Sequence, residues 1–265
     1  LRESVSMNQR RSSCLRLLCV CVGLEAGLLC FGSSAMAQDA ATVERQFLIP
    51  ESNDSMAGEG PVRRYDWMKN LWQKRRSTFA SRVQQDQNAI VFLGDSITQG
   101  WGDDFRGAFG DRKVANRGIS GDTTRGMLYR LKEDVLDVNP QAVVMLMGTN
   151  DLEEHATPKT IAGNVRLILK ELQTHDSEMP IVICLVMPSS ETKSRPAGKI
   201  KRLNKLLTEI ANENDGVHLV DTWTPFANEN GDAKKEEFPD LLHPNDAGYQ
   251  KWQAALEPTL NELNL

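Results

Sequence analysis

The chain has 265 residues, 40% of them hydrophobic and 25% charged, with a net charge of −5. This is globular composition with length for one good core. The acidic balance is spread along the chain, which argues against a polybasic surface for nucleic acid or an anionic membrane.

The first 37 residues differ from the rest. Arg2, Arg10, Arg11 and Arg16 give a basic start, an apolar stretch runs from Leu17 to Phe31 around Glu25, and Ala35-Met36-Ala37 fits the A-x-A cleavage pattern. This predicts a signal peptide over 1–37, cut after Ala37, with Met7 a candidate start and a periplasmic or secreted product. The apolar run is short for a membrane span of about 20 residues. Cleavage removes Cys14, Cys19, Cys21 and Cys30, so the exported domain has no internal disulfide. Cys184, inside "IVICLV", reads as a buried core thiol.

Residues 38–60 are polar and aperiodic, and read as a linker or surface arm; 61–265 read as the folded domain. From Asp66 a helix is expected, with Trp67, Leu71, Trp72, Phe79 and Val83 on its apolar side. Strands and helices then alternate. Strands are expected at Ala89–Leu93, weakly at Val114-Ala115, from Ala142, at Ile181–Val186 and at Val217–Val220. Helices are expected at Thr123–Val135, Thr160–Leu172, Lys199–Ile210 and Asp246–Leu260. Apolar strands without polar alternation imply a parallel sheet covered on both faces. Ligands of such sheets bind beyond the carboxyl ends of the strands. The polar clusters Gly94-Asp95-Ser96, Asn116-Arg117-Gly118 and Gly148-Thr149-Asn150-Asp151 follow strands directly.

Acyl transfer at a serine needs a nucleophile, a base, an orienting carboxylate and donors for an oxyanion. Ser96, just after a buried strand, is a candidate nucleophile; a helix N-cap is its plainer role. His243 is the candidate base, and Asp240, three residues earlier, would fix its tautomer. The backbone N–H groups of Ser96 and Gly118 and the Asn150 amide are candidate oxyanion donors, although turn roles account for Gly118 and Asn150 singly. His155, His175 and His218 read as surface or structural, and no zinc-type spacing occurs.

Together, "GDSITQGW", "NRGISGDTT", "GTNDL" and "DLLHP" occur in order and resemble the SGNH hydrolases, the GDSL esterase/lipase family. "WMKNLWQKR" and "HPNDAGYQKW" look like the branch related to platelet-activating-factor acetylhydrolase catalytic subunits. The resemblance implies a flavodoxin-like three-layer α/β/α sandwich on a five-stranded parallel sheet. It implies Ser96, Asp240 and His243 as catalytic residues, and Ser96, Gly118 and Asn150 as the oxyanion hole. It also implies Asp95, Asp122, Thr149 and Asp151 as residues that hold the loops, with no metal or cofactor. The expected activity is ester hydrolysis through an acyl-enzyme, with short acyl groups such as acetyl on carbohydrate or small esters preferred.

Lysophospholipase or thioesterase activity at the same site is an alternative. A metallophosphoesterase and a catalytically silent glycan-binding protein are readings of another class. The expected pocket walls are Trp101, the loop after Val186 and Leu241-Leu242, and Asn228–Phe238 is expected to be a solvated loop. The expected partner is a small-molecule or carbohydrate ester, with no nucleic acid and no stable membrane insertion.

Overall fold

Five short runs, all but β2 rich in Val, Ile and Leu, pair side by side, all parallel: β1 (Ile90–Gly94), β2 (Val114–Gly118), β3 (Ala142–Leu146), β4 (Ile181–Cys184) and β5 (Val217–Val220). Their order is β2-β1-β3-β4-β5 in a computed structural model that describes residues 47–265. The leader expected over 1–37 lies outside the described residues.

Every residue of β1 and β3 is buried, because each strand has one neighbour on either side and a packed layer on either face. Val91, Leu93, Val143 and Met145 point to one face. There they meet Ile161, Val165 and Ile168 of α6 (Pro158–His175) and Ile200, Leu203 and Leu207 of α7 (Ala197–Asn212). Ile90, Phe92, Ala142 and Val144 point the opposite way, onto Trp252, Leu256 and Leu260 of α8 (Asp246–Glu262). This alternation, with apolar residues on both sides, is what a doubly covered parallel sheet requires. The fold is the flavodoxin-like α/β/α sandwich.

Three elements differ from expectation. The helix α1 (Asp66–Ser81) buries Met68, Trp72, Arg76 and Phe79, while Trp67 is 53% exposed. Arg76 belongs to the buried stripe because its guanidinium meets Asp134 at 3.1 Å and Glu133 at 3.3 Å. The helix expected over Thr123–Val135 is broken into α3 (Thr124–Tyr129) and α4 (Leu131–Asp134). Arg130 sits at the break, fully buried, with Nε donating to Asp122 at 2.7 Å and Nη2 donating to the carbonyls of Arg117 (2.8 Å) and Gly94 (3.2 Å). It thereby ties together the carboxyl ends of β1 and β2. Trp101, expected on a pocket wall, is instead 1% exposed in an aromatic cluster with Phe92, Phe105, Phe109, Tyr249 and Trp252.

The described part of the arm packs on the domain. Phe47, Ile49 and Met56 are buried, and the Arg125 guanidinium donates to the carbonyls of Asn53, Met56, Ala57 and Gly60. Four bonds from one side chain replace the secondary structure that this aperiodic stretch lacks. Cys184 is buried, and burial pushes its thiol up to about 12, which leaves it protonated and inert.

Candidate active site

The site begins at Gly94. A Cβ there would stand 2.1 Å from Thr98 Oγ1 and 2.8 Å from the Leu146 carbonyl, so only glycine lets the chain turn at once into α2 (Ser96–Gly100). Asp95 is the cap of that helix: its Oδ1 accepts from Ile97 N–H at 2.9 Å. The capping role open to Ser96 is thus filled by its neighbour, and the serine hydroxyl is left to other partners. Burial pushes the Asp95 carboxyl up to about 6, against the Ile97 bond and the charges of His243, Arg195 and Arg63.

His243 meets that hydroxyl, its Nε2 lying 3.0 Å from Ser96 Oγ. Its Nδ1 is 2.7 Å from Asp240 Oδ2. The segment Asp240–His243 is a tight turn in which Asp240 Oδ1 accepts from Leu242 N–H at 3.0 Å and His243 N–H at 2.7 Å. Leu241 takes φ +64° to allow it. Burial raises the Asp240 carboxyl, but these N–H bonds and the imidazole outweigh it and hold the group at about 2. The carboxylate therefore stays charged and keeps Nδ1 protonated, so that Nε2 accepts from the serine.

β1 lies between β2 and β3, and Gly94 is level with Gly118 on one side and Leu146 on the other. The loops leaving these three strands therefore start side by side. The strand order reverses here, which opens a crevice. From β1 comes the Ser96 N–H, which has no acceptor among the described residues. From β3 comes Asn150, in α5 (Thr149–Glu153), with Nδ2 donating to the Asp122 carbonyl at 2.9 Å. One Nδ2 hydrogen is left over.

Gly118, expected as the donor from β2, is corrected by the structure. Its N–H donates to Asn116 Oδ1 at 2.9 Å. Its lack of a side chain serves packing, since a Cβ would come within 2.3 Å of the Gln99 nitrogen. The free N–H belongs to Gly121. That residue is third in the turn Ile119–Asp122, which the Asp122 N–H closes onto the Ile119 carbonyl at 3.0 Å. Gly121 has φ +85°, and its N–H finds no acceptor among the described residues. Gln99 Oε1 pins the turn, accepting from Ser120 N–H at 2.7 Å and its hydroxyl at 3.0 Å.

These three strand-end loops and the Asp240–His243 turn fall within residues 92–251, which match the model of the GDSL-like Lipase/Acylhydrolase family. The chain belongs to that family. It is 28% identical over 195 residues to platelet-activating factor acetylhydrolase IB subunit alpha2 of Homo sapiens, covering 72% of this chain and 84% of the relative. It is 25% identical to subunit alpha1 of Bos taurus, covering 72% and 83%. Among solved structures it resembles a GDSL-like lipase from Bacteroides thetaiotaomicron, with TM-score 0.63, 26% identity and coverage of 72% and 97%. A lipase/acylhydrolase from Enterococcus faecalis gives TM-score 0.55 at 26% identity, covering 66% and 96%. The protein is a GDSL-type ester hydrolase.

In this GDSL-type hydrolase, the residues expected to hold the loops make specific contacts. Asp122 pairs with Arg130, and Thr149 accepts from Arg195 Nε through its hydroxyl (3.0 Å) and its carbonyl (3.1 Å). Asp151 accepts from the Thr124 hydroxyl at 2.6 Å and from Thr124 N–H. Burial pushes Asp151 up to about 6 despite those bonds. The loop after Val186 reaches the site, with the Ser189 hydroxyl donating to the Leu241 carbonyl at 2.7 Å and Arg195 reaching Asn150. The Asn228–Phe238 stretch is only partly solvated: Phe238 is fully buried against Phe226, and the Glu237 carbonyl accepts from Asn245 N–H. His175 ends α6, His218 lies in the edge strand β5 and His155 follows α5, so the imidazole at Ser96 is that of His243. Among the described residues, no group of three His, Cys, Asp or Glu side chains is arranged to hold a metal ion.

Sequence reasoning missed Gly121, Gln99, Arg63 and Arg195. For Gly121 a signal was present: Ser-Gly-Asp is turn chemistry, and a glycine there supplies φ > 0.

Proposed function

We propose that the enzyme hydrolyses short-chain carboxylic esters, acetyl esters foremost, through an acyl-Ser96 intermediate. The observation that carries the mechanism is the unbroken run Asp240–His243–Ser96, at 2.7 and 3.0 Å. Ser96 Oγ attacks the ester carbonyl carbon as His243 Nε2 takes its proton. The Ser96 N–H, the Gly121 N–H and the spare Asn150 Nδ2 hydrogen receive the oxyanion. Collapse expels the alcohol, which takes the proton back from Nε2. A water then attacks the acyl-enzyme by the same route, with His243 again accepting and returning the proton. Asp240 stays ionised throughout and stabilises the imidazolium.

The short-acyl preference has two supports. The side chains of His243 and Asp240 are 44% and 46% exposed, so the nucleophile opens onto solvent. The strand-end loops beside it carry polar groups, Gln99 bonded to Ser120 and Arg195 to Asn150, whereas a fatty chain needs enclosed apolar surface. The relatives' name, acetylhydrolase, agrees with an acetyl group. For the alcohol part we propose a carbohydrate or a small polar alcohol, and the leader over 1–37 would place the enzyme outside the cytoplasm.

A panel of aryl esters from acetate to palmitate, run beside acetylated polysaccharide, tests the substrate. Rates that rise towards palmitate would refute it. Ser96→Ala tests the mechanism and should abolish both turnover and fluorophosphonate labelling while the melting temperature persists. N-terminal sequencing of the exported protein tests the cut after Ala37.

A further inference from the structure

Two buried arginines from distant parts of the chain meet on one atom. Arg63, just before α1, donates from Nη1 to Asn150 Oδ1 at 3.2 Å. Arg195, in the loop after β4, donates from Nη2 to the same oxygen at 3.1 Å. Their exposures are 9% and 1%, and both guanidinium groups also bond Glu153. Arg63 Nε reaches Glu154 at 2.8 Å. Burial raises the Glu153 carboxyl, but the Arg63 bond and the Arg195 charge outweigh it and hold the group below its ordinary value. The cluster is thus charge-compensated, and both cations are fixed.

We infer that Arg63 and Arg195 are positioning residues for the reaction, which set and polarise the Asn150 amide as an oxyanion donor. The inference rests on the reading of Asn150 given above. An asparagine amide has two orientations of similar shape, and only one offers hydrogens to an oxyanion. With Oδ1 held by two cations, a flip would turn the NH2 group onto both guanidinium groups. It would also set Oδ1 against the Asp122 carbonyl, which now accepts from Nδ2 at 2.9 Å. The flipped state is excluded. Two charge-assisted bonds to Oδ1 also draw electron density from nitrogen through the amide, which makes each Nδ2–H a stronger donor. That gain is greatest where negative charge develops, in the transition state rather than in bound ester.

The test is a set of double-mutant cycles on aryl acetate hydrolysis and on the rate of fluorophosphonate labelling. Arg63→Gln and Arg195→Gln should each lower kcat about tenfold or more with KM little changed, and slow labelling in parallel. In an Asn150→Ala background, the same changes should cost nothing further. Arg63→Lys, which keeps the charge, should recover part of the rate. Multiplicative losses in the double variants, or arginine variants of full activity, would overturn the inference. Wild-type turnover by Asn150→Ala would instead remove Asn150 from the oxyanion site. Should the buried Arg195 variant not fold, the Arg63 pair carries the same comparison. The unaltered enzyme gives a further readout, since bonds to Oδ1 strengthen the partial double bond to Nδ2. The Asn150 NH2 group should rotate more slowly by NMR than those of exposed asparagines, and equal rotation would count against the inference.

Discussion

Gln99 Oε1 accepts both the backbone N–H and the hydroxyl of Ser120, at 2.7 and 3.0 Å. One side chain thus joins the helix that begins at Ser96 to the turn that presents Gly121. Gln99→Leu, close in size but without an acceptor, is expected to loosen that turn and lower kcat about tenfold or more, while thermal stability falls by only about 1 kcal/mol. Steady-state kinetics beside a melting curve checks it. A change in KM alone would show that the turn serves binding and not the oxyanion.

The two glycines of the second loop should fail differently. Gly118→Ala puts a methyl 2.3 Å from the Gln99 nitrogen, within backbone, and is expected to destabilise the fold by about 1–3 kcal/mol. Gly121→Ala must hold φ +85° with its methyl 2.6 Å from the Trp67 ring edge, and should twist the donor N–H away. Its kcat is expected to drop about a hundredfold or more even where the protein stays folded. If Gly118→Ala kept full stability but lost turnover, the assignment of the donor to Gly121 would be reversed.

Asp240 should stay charged through the acid range of activity. It is held at about 2, so it remains a carboxylate across the acid limb of kcat/KM and does not set it. An NMR titration of its carboxyl carbon should be flat between about pH 3.5 and 6; a titration in that window would count against its role as the charged partner of His243. Asp240→Asn points an amide at Nδ1, favours the wrong tautomer and should cost about a hundredfold or more in kcat.

Asp95 makes stability depend on pH in the opposite sense to a salt-bridged carboxylate. Its folded value, about 6, lies above the ordinary 3.8, so the folded state holds the extra proton. The resulting stabilisation is complete below pH 4 and is lost as pH rises through 6, by about 3 kcal/mol in all. Asp95→Asn keeps an oxygen for the Ile97 N–H and has no proton to lose. The variant should therefore gain stability relative to wild type between pH 4 and pH 7, read as a rising difference in Tm. A difference that stays constant would show that Asp95 does not titrate in that range.

The sheet and its polar edge were legible because burial on both faces forces strands to read as unbroken apolar runs, as in "IVFLG" and "AVVML". Asp240 and His243 were legible because three residues of spacing already suffice for the turn that joins them. Two glycines in "NRGISGD" could not be told apart by type, since the choice depends on whether Asn116 folds back on Gly118. Trp101 follows the helix of Ser96 closely, but the aromatic cluster around Phe92 and Trp252 draws it inward. Arg63 and Arg195 lie 87 and 45 residues from Asn150, and no local pattern links them.

The place of Arg63 also bears on how much polypeptide makes a working enzyme. The family match starts at Phe92, yet Arg63 and the arm that Arg125 clasps come before it. A gene trimmed to the matched region would encode Ser96, Asp240 and His243, but not one of the two cations beside Asn150. It would also leave Trp72's side of the core without its helix. Expression libraries cut at family boundaries would therefore score such a fragment as inert, although every signature residue of the family is in it.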